Sequence, residues 1–150
     1  MLYLEYEDFK AKYLETQRKY DEILSEKEEL FQRTQPTAMN IDKERVSGGT
    51  KSNPFESYLI AKEKKQIDER LAEVKGLLDD REKLLNLKLE ELRYSNAIED
   101  KIYRMRHIDR IRIYKIARMV NYSEAQVYRI LANIAENIKM RENERFSMVQ

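Results

Sequence analysis

Apolar residues recur at heptad spacing over two long stretches of this chain, and most of its helix-breaking residues lie between them. In the first stretch, residues 5–33, the stripe runs through Tyr6, Phe9, Tyr13, Tyr20, Ile23 and Leu30, with Thr16 and Lys27 filling two heptad places. In the second, residues 54–93, Ile60, Ile67 and Val74 alternate with Leu71, Leu78, Leu85 and Leu92. Leu77 and Leu84 widen that seam, while Arg81 and Lys88 interrupt one row and are suited to fixing register. Such a period belongs to helices, because strand faces alternate every second residue. Residues 34–53 hold Pro36, Gly48 and Gly49 among polar neighbours and read as a mobile linker. Asn53, Pro54 and Glu56 then supply an N-cap, a proline at the first helical position and a capping-box partner. Helices of these lengths span roughly 44 and 60 Å, whereas a flexible linker of this size covers about 25 Å. An antiparallel hairpin is therefore easier to close than a parallel return; a chain-wide coiled-coil dimer is the alternative. A lone hairpin leaves much of its seam wet, so a second copy is expected to complete a bundle as a homodimer. Gly76, inside the second helix at a cost of about 1 kcal/mol relative to Ala, is read as a point of close approach or bending.

The fold class this implies is all-α: a long, coiled-coil-like helical hairpin over residues 1–93, followed by a three-helix unit over residues 94–140 and a frayed polar tail over 141–150. Composition agrees, with 38% charged residues, three Gly and two Pro in 150 residues. It also excludes much chemistry. The absence of Cys removes disulfides, thiolate metal sites and cysteine nucleophiles. One histidine and three glycines cannot build a histidine metal cluster or a phosphate-cradling loop. Carboxylates are plentiful but sit on charge-alternating helix faces. His107 and Arg110 form an H-x-x-R pair upstream of Tyr122 and Tyr128, a fragment of tyrosine-recombinase chemistry, but the chain is too short for the catalytic domain that chemistry needs. The expectation is a non-enzymatic protein without a cofactor. The amino terminus has no signal-peptide pattern and no apolar run reaches membrane-span length, which points to the cytoplasm.

Residues 113–138 read as two short helices joined by a tight polar turn. Ala117 is small enough for a close helix crossing, and Asn121 tolerates the left-handed backbone by which a chain leaves a helix. Ser123 and Gln126 have capping-box spacing. Val127, Leu131, Ile134 and Ile138 form one stripe of the second helix, with Ile130 beside it, leaving the opposite face free. Before this motif, Asn96 and Glu99 suggest a cap for a helix over residues 97–108 whose inner face is Ile98, Ile102 and Met105. This is the layout of a helix-turn-helix, which places its second helix in the major groove of DNA. An αα-corner with no nucleic-acid role has similar spacing.

Charge separates these readings. Residues 1–93 carry 18 Lys and Arg against 21 Asp and Glu, whereas residues 94–150 carry 11 against 7. Between residues 101 and 118 stand seven basic residues and one acid, Asp109. That concentration beside the turn favours double-stranded DNA as partner. Arg110, Arg112, Lys115 and Arg118 are candidates for holding phosphates. On the second helix, Arg129 suits guanine, Gln126 or Asn133 adenine, and Glu124 a cytosine amino group, with Ser123 and Tyr128 at the same surface. That helix is weakly basic, so dimerisation through the long helices would raise avidity.

The run RHIDRIRIYKIARMVNYSEAQVYRI, residues 106–130, resembles the sigma-factor region-4-like helix-turn-helix of small phage transcriptional regulators of the RinA/ArpU-like group. The motif IA-x4-YS-x2-QVYR, residues 116–129, carries the resemblance, and the charged hairpin before it is similar in layout. The resemblance implies a bacterial or prophage origin, activation of late genes, and host RNA polymerase as a possible partner. Two positions depart from it: Arg112 and Ile113 replace the usual Thr-Trp and remove a cap, and Asn121 replaces the usual Gly. Competing expectations are a DNA-packaging recognition subunit of the small-terminase kind and an adaptor that docks on RNA polymerase.

Overall fold

The computed structural model describes residues 1–34 and 54–149. Its described residues are all-α, as the periodicity requires. Helix α1 spans Leu2–Thr34 and α2 spans Pro54–Arg93. Helix α3, Ile98–Tyr103, runs on into a π-helical turn, Arg104–Ile108. Helix α4 is Ile113–Val120 and α5 is Glu124–Val149. The linker and the Asn53 cap expected from the sequence lie outside the described residues.

Two compact units emerge, one of Leu14–Asp79 and one of Met1–Tyr13 with Asp80–Gln150. In the Leu14–Asp79 unit the heptad seams of α1 and α2 meet. Ile23, Leu30 and Ile67 are buried, with Leu71 and Val74 packed on them. Thr16, a polar residue in a heptad place, is buried too. Lys27 pairs with Asp68 at 2.8 Å, Glu26 with Arg70 at 2.9 Å and Arg33 with Glu63 at 3.6 Å. Position numbers fall on one helix as they rise on the other, so the pair is antiparallel. Each of these exposed ion pairs contributes little, about 0–1 kcal/mol; burial of the apolar seam holds the unit together. A Cβ placed on Gly76 would meet no neighbour within 4 Å. Close approach between the described helices of one chain is therefore not what this glycine serves.

The other unit has a core of Tyr3, Leu92, Ile102, Tyr103, Met105, Ile116, Ala117, Val127 and Ile134. The expected three-helix unit beginning at residue 94 is thus too small, because the first turns of α1 and the last turns of α2 belong to the same core. The two seam interruptions are partnered across this part of the hairpin. Arg81 donates to the Lys12 carbonyl at 3.1 Å, and the Lys88 ammonium reaches Glu5 at 2.7 Å. Hydrogen bonding and attraction between that pair lower the Glu5 pKa and raise that of Lys88.

Two expectations need correction. The Asn96–Glu99 cap does not form. Ala97 is the extended residue before α3 and gives no side-chain cap, while Ser95 accepts from the Ala97 amide at 3.3 Å and donates to Asp100 at 2.8 Å. Asp100, 2% exposed, also accepts from the Tyr3 amide at 3.1 Å. That amide is an orphan donor in the first turn of α1, and the buried carboxylate satisfies it where the helix dipole favours negative charge. The tail does not fray after residue 140 either. Helix α5 continues to Val149, and Arg141 and Arg145 reach Asp8 of α1 at 2.8 and 3.5 Å. Asn137 donates to the Tyr3 hydroxyl at 3.0 Å. Local polarity concealed this segment's role because its partners lie more than 130 positions away.

Candidate nucleic-acid interface

Helices α4 and α5 form the turn motif. At its corner Asn121 adopts φ 61°, ψ 41°, the left-handed conformation expected of it. The Tyr122 amide then donates to the Ala117 carbonyl at 2.9 Å, closing the end of α4. Ala117 is buried at the crossing. The Ser123 hydroxyl accepts from the Gln126 amide at 3.2 Å and the Gln126 side-chain oxygen accepts from the Ser123 amide at 2.9 Å. This is the reciprocal capping box. Arg112 precedes α4 in an extended conformation without a side-chain cap.

The approach to α4 is shaped by the π-helical turn. Asp109 donates to the Arg104 carbonyl at 2.9 Å and Ile111 to the Met105 carbonyl at 2.8 Å. Arg110, between them, has φ 54°, a strained value for a residue with a Cβ. Nothing in the sequence signals it; a glycine there would have. Tyr103, at the end of α3, stacks on Tyr3 at 5.4 Å and donates its hydroxyl to Glu7. Burial first, then the Glu7 carboxylate, raise its pKa far above the ordinary tyrosine value. His107 lies against the Tyr103 ring at 4.9 Å. Desolvation there lowers its pKa, opposed by Glu7 and assisted by Arg106 and Lys10.

The sequence-derived site residues are all exposed. Glu124, Tyr128, Arg129 and Asn133 lie on the side of α5 away from buried Val127 and Ile134. Arg110, Arg112, Lys115 and Arg118 are exposed around α4 and its approach, and none of them or Arg129 forms an ion pair within the described residues. The remaining basic residues near the turn differ. Arg104 pairs with Asp109 at 3.8 Å and donates to the Arg93 carbonyl, and Arg106 donates to the Ile111 carbonyl at 3.3 Å. They brace the turn. Gln126 departs from the role expected for it, since bidentate pairing with adenine needs the side-chain oxygen that the cap already holds.

Sequence reasoning passed over Tyr114 and Met119, which flank Lys115 and Arg118 on the exposed side of α4. A helical projection of residues 113–120 would have found them. Among the described residues no group of three or more His, Cys, Asp or Glu could hold a metal ion, and no helix is long and apolar enough to cross a membrane. No protein-family model, curated protein or solved structure matches this chain.

Proposed function

We propose that this protein is a sequence-specific, non-enzymatic regulator of transcription that binds double-stranded DNA as a dimer, of the phage late-gene activator type. One observation carries the reading: an exposed Arg129 on the outer side of a capped α5, beside three exposed arginines and one exposed lysine, none of the five in an ion pair among the described residues. In this reading α5 enters the major groove by its first turns, and Arg110, Arg112, Lys115 and Arg118 contact the phosphates that set its position. Dimerisation is assigned to the hairpin, where Leu14, Leu24, Leu59 and Leu77 remain exposed. Host RNA polymerase is a further partner that the resemblance suggests.

Fluorescence anisotropy with duplexes selected from a randomised pool tests the proposal. Arg129→Ala should weaken the selected duplex by about 10- to 100-fold and leave random duplex nearly unaffected. Arg118→Ala should weaken both and reduce the salt slope by about one. Failure to bind any duplex at low salt, or indifference to Arg129→Ala, overturns the reading. Sedimentation equilibrium should give twice the 18.1 kDa chain mass; a large ring would favour a DNA-packaging role instead.

A further inference from the structure

The outer line of α5 is unusual for so charged a chain. Ala125, Arg129 and Ala132 fall at i, i+4 and i+7, all exposed, on the side opposite Val127 and Ile134. One alanine on each side of the arginine leaves the helix backbone open to close approach, with a methyl group at each end. Resting on the DNA-binding reading above, we propose that Ala125 and Ala132 contact thymine methyl groups on either side of the guanine held by Arg129, making guanine flanked by thymine the preferred duplex.

Geometry supports the assignment. Ala125 and Ala132 are about 10.5 Å apart along the helix axis, a distance that a helix following the groove spreads over about two to three base pairs. Arg129 lies between them, so both methyl contacts fall within about two base pairs of its guanine. The thymine methyl is the one apolar group on the major-groove edge, and small apolar side chains are its natural partners. Gln126 is held in the cap, leaving Arg129 and Asn133 as the polar side chains of this outer surface best suited to bidentate contacts. Glu136 follows Ala132 one turn later on the same line and is exposed. A carboxylate facing phosphates is unfavourable, so contact with the groove ends before it.

The test uses the intact protein and the duplex it selects from a randomised pool. Each thymine is replaced in turn by uracil, which removes only the methyl group, and affinity is read by anisotropy. Two thymines within about two base pairs of the guanine should each lose about three- to fourfold on replacement, the effect of one buried methyl. Ala132→Ser protein, checked for helicity, should lose the thymine–uracil difference at one of those positions and keep it at the other. If every replacement is neutral while Arg129→Ala still abolishes the preference, the methyl contacts are refuted and DNA binding stands. If the pool yields no bound duplex, the underlying reading fails with them.

Discussion

Arg110 occupies left-handed backbone that a residue with a Cβ enters at a cost of about 1–2 kcal/mol. Its guanidinium is exposed and without an ion-pair partner among the described residues, so the fold gains nothing visible from its charge. Arg110→Gly should therefore relieve the backbone, offset in part by the greater freedom of glycine in the unfolded chain, for a net stabilisation of about 0.5 kcal/mol. The same change should weaken DNA binding at low salt. A rise in melting temperature together with lost affinity would mark Arg110 as a residue held in strain for its contact; lost stability would refute the strain. Asn121, also left-handed, was legible in the sequence because Asn commonly takes this role after a helix. Arg110 was not, because arginine carries no such signal.

At the scale of elements, repetition made the long helices readable. The heptad stripes located α1 and α2, and Pro54 marked the start of α2. The turn motif was equally readable, since Asn121, Ser123, Gln126 and the Val127–Ile134 stripe act through neighbours a few positions away. What escaped were contacts between remote segments. Asp100 serving the first turn of α1, and Arg141 and Arg145 meeting Asp8, depend on partners that no local window contains. For the candidate site this meant that the exposure of its residues was legible while Gln126 was given two incompatible tasks. Gly76 supplies a direct test of an element. It is exposed within α2 and a methyl group there meets nothing within 4 Å, so Gly76→Ala should stabilise the protein by about 1 kcal/mol in urea unfolding. A loss instead would assign Gly76 to a required bend.

For the molecule as a whole, the titrating groups define the pH range of greatest stability. His107 has a pKa held below 6.5 in the fold, so the unfolded chain takes up its proton first and stability falls as pH drops through that region. Glu5 acts in the same direction below 4.5, because its pairing with Lys88 is present only while it is ionised. Both effects are moderated by solvent. Tyr103 acts oppositely. Its folded pKa lies above the unfolded value of 10.0, so its contribution is complete below pH 10 and is lost as pH rises further. Tyr103→Phe should lose about 1 kcal/mol at neutral pH with the Glu7 hydrogen bond, yet show a shallower alkaline fall in melting temperature. An unchanged alkaline slope would remove Tyr103 from that role.

The joining of Met1–Tyr13 with Asp80–Gln150 also bears on how the protein is made. Tyr3 meets Asp100 across 97 positions and Asn137 across 134. Contacts of such separation close slowly, because the intervening chain must first give up its freedom. During synthesis the first turns of α1 leave the ribosome early and wait for most of α5 to follow. Interrupted translation before residue 137 would leave that core without the later turns of α5 that hold Tyr3 and Asp8, so chains ending there should keep the Leu14–Asp79 unit and lack the finished core.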